Sequence, residues 1–376
     1  MKNIFKLFFN KNGMDEQSRD YYFFKNLSEC EYPKYLKKIY KYKTGENLNL
    51  KHPKTFNEKI QWIKLYGVTD LMRDCTDKVK VRDYVKERIG EEYLKPVLQI
   101  IPNESHKTMH FHCEQVNDNL GLARQSTDRS NDTPDCRADI KMSSSARLRF
   151  PKFQFRENRV LAEYNDRALV FKDNDNTTYF DKIDFDKLPD SFVIKTNHGC
   201  KWQYIIKNKK EYLKNKRLIK ISKKQITGWL EQDYSFCNGF ELQYGNIEPK
   251  ILIEPLLRED INTNCKEIHV YVCNNLPKYI IKIHNANGIT IYDENLHFVD
   301  EIFSEDDKKI FEPADALINQ AFYLSKQLSK EFTFVRVDWM IYQNKLYFEE
   351  LTFTPYSGFH KFLNKKLVER ISFKLI

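Results

Sequence analysis

The chain has 376 residues, 41% of them apolar and 14% aromatic, enough for the core of one large or two medium domains and too apolar for a solvated tail. Its net charge of +9 points to anionic partners such as nucleotides or acidic sugars; no basic and aromatic recognition motif accompanies the charge, so nucleic acid is not expected. No run approaches the ~18 apolar residues of a membrane span, and eight scattered cysteines without a C-x-x-C or zinc spacing read as the reduced thiols of a cytoplasmic protein.

The opening MKNIFKLFFNKNG lacks the apolar length and small-residue cleavage site of a signal peptide. Ile4, Phe5, Leu7, Phe8 and Phe9 among lysines read as a helix packed on the rest of the protein, peripheral contact with a membrane surface being the other reading. Residues 14 to 100 are helical and aromatic-rich, which makes 1–100 an N-terminal helical region. Within it TFNEKIQWIKLY (55–66) carries apolar residues at helical spacing behind a Thr55/Glu58 capping box. KVKVRDYVKERIG (78–90) is a further helix ending on a C-cap glycine.

Residues 101–170 then hold eight arginines and three lysines, against eight arginines and 43 lysines elsewhere. The run QSTDRSNDTPDCRADIKMSSSAR (125–147) is too polar to offset its chain entropy by burial. Residues 101–178 are therefore expected to be an atypical, mostly disordered insert. Its His106, His110, His112 and Cys113 resemble metal ligands but have no second ligand pair at a usual spacing.

From 179 to 376 strand patterns alternate with helical ones. Strands are expected at 192–199, 202–207, 250–257, 267–275, 278–284, 334–342 and 345–353, and helices at 210–232 and 313–330, an α+β domain with a mostly antiparallel sheet. Lys195 closes a strand before Thr196, Asn197, His198 and Gly199. A lysine there can meet phosphate oxygens as loop N–H groups approach the same anion, or can simply snorkel from a strand end. The return strand makes 192–207 a hairpin able to close over a nucleotide, with Lys207 at its far end. Glu254 ends another apolar strand before Pro255, Leu256 and Leu257, a link suited to a purine ring, or is a plain strand-end glutamate.

The strongest constellation is VRVDW (335–339) followed by FEELTF (348–353). A three-residue loop of Gln343, Asn344 and Lys345 would set Asp338 opposite Glu350 and Arg336 opposite Thr352, with Leu346 and Phe348 on the Asp338 and Met340 face. Two carboxylates meeting across a hairpin repel, and Mg²⁺ shared with substrate phosphates would relieve the repulsion. Glu349 would then point the other way, toward solvent or a salt bridge.

HPKTFNEKIQWIKLY (52–66), IGEEYLKPVL (89–98), FDKIDFDKLPDSFVIKTNHG (180–199) and FVRVDWMIYQNKLYFEELTFTPYSGF (334–359) together resemble the TupA-like ATP-grasp proteins of bacterial cell-surface polysaccharide synthesis. The resemblance spans about 50–100 and 180–362. It implies an ATP-grasp fold with ATP between two α+β subdomains. It also implies Lys195 and Lys207 on phosphates beside the His198–Gly199 loop, Glu254 and Leu256 at the adenine hinge, Asp338 and Glu350 on Mg²⁺, and Arg336 near an acylphosphate. The reaction implied joins a carboxylate to a nucleophile, here an acidic sugar or amino-acid acceptor. Cys200 and Lys201 stand where the family carries small residues, Tyr356 stands where it usually carries glycine, and the segment after 278 lacks the family's arginine. A glycosyltransferase-like enzyme of the same pathway is one alternative; a degenerate nucleotide-binding protein is another.

Overall fold

The computed structural model describes Tyr21 and residues 24–102, 179–257, 266–284, 288–300, 308–360, 365–371 and 373–375. The apolar opening, the polar run 125–147 and the His106, His110, His112 and Cys113 group lie outside the described residues. Helix α1 (Tyr32–Thr44) stops at Gly45, whose φ of 82° is the left-handed turn that glycine adopts freely. Helix α2 (Phe56–Tyr66) starts as its capping box requires: the Thr55 hydroxyl accepts the Glu58 N–H, and the Glu58 carboxylate accepts the Thr55 N–H at 3.0 Å. The short α3 (Asp70–Thr76) and α4 (Val81–Ile89) follow.

Strand β1 is Gln99–Pro102. Ile101 is buried and pairs with Ile251, so the insert cannot begin at 101; the fold claims Ile101 and Pro102. Strands β2 (Phe192–Thr196), β3 (Gln203–Ile206) and β4 (Lys250–Pro255) complete a four-stranded antiparallel sheet of order β1-β4-β2-β3. Between β3 and β4 the expected single helix is two, α5 (Lys209–Lys214) and α6 (Lys216–Leu230). Asn215 divides them, its side chain accepting the Leu218 N–H at 3.0 Å to cap the second.

Strands β5 (Lys266–Cys273), β6 (Leu276–Ile283), β7 (Gly288–Asp293), β8 (Lys308–Lys309), β9 (Phe334–Tyr342) and β10 (Lys345–Thr352) form a second sheet of order β10-β9-β5-β6-β7-β8. It is antiparallel except for the β7/β8 pair. Helix α7 (Ala316–Leu328) precedes β9, and α8 (Lys365–Arg370) follows β10. The strands thus divide between two sheets, both in an α+β arrangement.

The helical region and the six-stranded sheet share one core. Phe56, Ile60 and Ile63 of α2 pack with Ile268, Val270, Val335, Val337 and Trp339. The Phe56 ring meets Phe334 edge-on at 5.1 Å and Phe373 at 6.1 Å. Phe56→Ala should therefore cost about 3–5 kcal/mol, read as one urea transition displaced to lower denaturant. A second, undisplaced transition would show that the helices unfold apart from the sheet.

Candidate functional site

The β9/β10 hairpin reaches the expected pairing by a different route. Lys345 pairs with Tyr342, so the turn is two residues long, with Gln343 and Asn344 at φ 48° and 58°, both in the left-handed region of a tight hairpin turn. Leu346 then faces Ile341 and Phe348 faces Trp339. Both belong to the core, Phe348 and Trp339 touching edge-to-face at 6.1 Å, so neither forms a wall on the Asp338 face. A bulge between Phe348 and Glu350 then restores Glu350 opposite Asp338 and Thr352 opposite Arg336. The bulge also turns Glu349 into the same cleft as Glu350, where it meets Lys95 at 2.7 Å.

Arg336 and Asp338 are both buried and joined by two parallel bonds, Nε to Oδ1 at 2.7 Å and Nη2 to Oδ2 at 2.6 Å. The guanidinium also lies near the Tyr271 and Tyr356 rings, 5.9 and 6.0 Å from their centroids. Burial would raise the Asp338 carboxyl, but Arg336, with His269 and the Thr352 hydroxyl, holds it below the ordinary carboxylate range. Thr352 Oγ1 stands 2.9 Å from Asp338 Oδ2 and 2.9 Å from Glu350 Oε1. A hydroxyl has one proton to donate, so one of those carboxylates is always left facing an oxygen. Asp338, Glu350 and Thr352 are thus a hard-oxygen set that a divalent cation would complete. Among the described residues no three His, Cys, Asp or Glu side chains converge on a metal site, and a carboxylate pair finished by ligand phosphates is the pattern Mg²⁺ uses.

Facing this sheet, the four-stranded sheet alternates cleanly. Phe192, Ile194, Ile206, Ile251 and Ile253 fill its core, while Val193, Lys195, Gln203, Ile205 and Glu254 line the cleft. Lys195 Nζ is 2.5 Å from Glu254 Oε2, and Lys95, in the loop before β1, is 3.5 Å from the same oxygen. Arg82 of α4 is 3.8 Å from Glu254 Oε1 and donates to the Lys95 carbonyl at 2.7 Å. Burial, with the Lys95 ammonium adding to it, lowers Lys195 below its ordinary pKa despite Glu254. Burial likewise opposes charge on Lys95, but Glu349 and Glu254 raise it above the ordinary value. Glu254, which burial would raise, is held low by Lys195 and Lys95.

The loop after β2 is held by Asp77, Lys78, Glu248 and Trp229, none of which its own sequence points to. Asn197 donates to Asp77 Oδ1 and to the Glu248 carbonyl, each at 2.9 Å, and accepts the Lys250 N–H. Lys78, before α4, donates through Nζ to the Gly199 carbonyl at 2.5 Å and lines the cleft. His198 is buried, with Nε2 3.0 Å from the Trp229 carbonyl and its ring edge-on to Trp202. A Cβ on Gly199 would stand 2.2 Å from the Trp202 ring, so glycine there answers the approach of an indole. Lys207 is exposed one residue beyond β3. Lys195, Glu254, Leu256, Arg336, Asp338 and Glu350 therefore come together on one cleft of about 660 Å³, whereas His198, Gly199 and Lys207 sit around the hairpin that walls it. At the other end Tyr356 and Ser357 hold φ of 52° and 53°, a left-handed pair pinned by Gln61, whose Nε2 donates to the Ser357 and Gly358 carbonyls.

A sequence model described as TupA-like ATP-grasp matches residues 173–372. No curated protein matches the chain. Among solved structures, the chain resembles the D-alanine–D-alanine ligase of Helicobacter pylori at 17% identity, covering 51% of this chain and 50% of that one with a TM-score of 0.27. It resembles the ATP complex of the Bacillus anthracis D-alanine–D-alanine ligase at 17% identity, 44% and 40% coverage and a TM-score of 0.23. The ATP-grasp ligase PsnB with a minimal precursor is similar at 13% identity, 43% and 40% coverage and a TM-score of 0.22. The chain thus spans half or less of the length of each of these three.

Asp338→Asn would leave the buried Arg336 charge uncompensated, and a loss of about 3–5 kcal/mol is expected near neutral pH. Because the folded pKa of Asp338 lies below its unfolded value of about 3.9, its contribution is complete above that value and fades as pH falls through the folded one. Urea titrations should show a constant gap between wild type and variant from about pH 5 to 8 that closes on acidification; a gap that persists at low pH would contradict the assignment.

Proposed function

The chain belongs to the TupA-like ATP-grasp family, and from that premise we propose that it is an ATP- and Mg²⁺-dependent ligase joining a carboxylate to an amine-like nucleophile. One observation carries the reading: the buried Lys195 of one sheet and the half-buried Lys78 of the loop before α4 line a single cleft with the Asp338, Glu350 and Thr352 oxygens of the other sheet. An anionic phosphate chain with its counter-ion matches that division of charge.

In this reading Lys195 and Lys78 hold phosphate oxygens, and Glu254, Pro255, Leu256 and Leu257 border the base. Asp338 and Glu350 would hold Mg²⁺, which when bound neutralises phosphate charge during transfer. An acceptor carboxylate attacks the γ-phosphorus, the bond to the bridging oxygen breaks and ADP leaves. The amine then attacks the acylphosphate carbon, losing a proton as inorganic phosphate departs. Arg336 already spends its Nε and Nη2 edge on Asp338, so its first task is to fix that carboxylate's position; any contact with the acylphosphate comes through the remaining guanidinium edge. The acceptor is proposed to be an acidic sugar or amino acid of cell-surface polysaccharide assembly, which the family supports. The cytoplasm, where ATP is available, is the proposed compartment. Among the described residues no helix is long and apolar enough to cross a membrane.

ADP release measured against uronic acids and amino acids, with and without Mg²⁺, tests the reading. Acceptor-dependent release that requires Mg²⁺ is expected, and Glu350→Gln should abolish it. Lys195→Ala should weaken ATP binding by about 1.5–3 kcal/mol, the range for bonds to charged groups. ATP bound tightly but never consumed with any acceptor would favour the degenerate binder. Wild-type affinity in Lys195→Ala would remove the phosphate assignment.

A further inference from the structure

Two ammonium groups, Lys195 and Lys95, converge on one buried oxygen, Glu254 Oε2, at 2.5 and 3.5 Å. Arg82 approaches the other oxygen of the same carboxylate at 3.8 Å. A single carboxylate cannot neutralise three cations, and burying an ammonium without a counter-ion costs several kcal/mol. The second anion is Glu349, 2.7 Å from Lys95.

The two carboxylates on Lys95 differ in what holds them. Glu254 belongs to a regular strand, and its side chain is 6% exposed. Glu349 is the residue the bulge adds to β10, its side chain is 29% exposed, and it lines the cleft. Returning Glu349 to water is therefore the cheaper exchange, while Glu254 would be desolvated in either state. An anion entering the cleft meets Lys95 with one partner fixed and one replaceable. Lys195, the proposed phosphate ligand, touches the same Glu254 oxygen, so an anion bound there also lies next to Lys95.

We propose that Lys95 is a further phosphate-binding cation, added to Lys195 and Lys78, and that Glu349 is its stand-in anion, occupying Lys95 while the cleft is free of nucleotide and giving it up when phosphate enters. The assignment rests on the ATP-grasp reading of the cleft. It makes Glu349 a positioning residue whose loss has two opposite effects. Without ligand, Lys95 loses a partner and the fold is weakened; with ligand, phosphate no longer competes with a carboxylate. A merely structural glutamate would weaken both.

The test is calorimetric titration of the full chain with ATP, ADP and adenosine, beside thermal unfolding without ligand. Lys95→Met should weaken ATP about tenfold or more, as loss of a charge-assisted contact does, weaken ADP in the same direction and leave adenosine within about twofold. Lys95→Arg should recover most of the loss. Glu349→Gln should lower the ligand-free melting temperature yet tighten ATP by about threefold, and should leave ATP affinity unchanged when Lys95 is already methionine. ATP affinity in Lys95→Met equal to wild type, with Lys195→Ala impaired, would overturn this inference and leave the ATP reading standing, as would weaker ATP binding in Glu349→Gln. Failure of the wild type to bind ATP would remove both.

Discussion

Buried charge in this cleft is tolerable only because it is held against charge of opposite sign, and Glu254 is the residue on which that balance turns. One carboxylate, carried by the interior strand β4, holds Lys195, Lys95 and Arg82 within 3.8 Å. Coulombic attraction at these distances in a poorly solvated site is large, but so is the cost of desolvation. Two of its members, Lys195 and Glu254, are fixed by the strands that carry them. Lys195 lies between Ile194 and Thr196 in β2, and Glu254 between Ile253 and Pro255 in β4, with Ile194 and Ile253 fully buried. Hydrophobic burial on one face of the sheet therefore fixes the electrostatics of the other.

The six-stranded sheet solves the mirror problem. There the excess is acidic, and Arg336 offsets Asp338 through two short bonds while Thr352 spans Asp338 and Glu350. Behind them Val335, Val337, Trp339, Leu351 and Phe353 are buried in the shared core. A ligand with an anionic chain and a bound cation is complementary to both faces at once; a ligand with only one of them leaves the other face's charges as they are.

Much of this was legible from residue order because strands impose parity. Lys195, Glu254, Arg336, Asp338 and Glu350 all follow runs whose alternation or apolarity announces a strand, and each reaches the cleft. Parity could not say where the extra residue between Tyr342 and Glu350 resides, since a longer loop and a bulge give the same pairing beyond it. Only Leu346 and Phe348 distinguish the two, and their burial against Ile341 and Trp339 requires the bulge. Lys95 and Lys78 were opaque for another reason. Both sit in loops far along the chain from the strands they meet, and nothing local separates a buried loop lysine from a solvated one. The same holds for the setting of His198, whose Nε2 stands 3.0 Å from the carbonyl of Trp229, on a helix that begins some way downstream. Tyr356, read as a departure from a glycine position, does occupy the left-handed backbone that glycine favours.

The bulge in β10 gives the hairpin an unusual kind of modularity. On both sides of Glu349 the ladder with β9 is regular, so the residue is spliced into a strand whose remaining positions would read the same without it. Charge at the edge of the cleft can thus vary by insertion or loss of one residue, while the core residues and the Asp338 and Glu350 pair keep their partners. Selection acting on such a site is released from the usual bargain in which altering one face of a strand disturbs the other. Lineages of this fold could gain or shed a local anion as a single event, without rebuilding the hairpin that carries it.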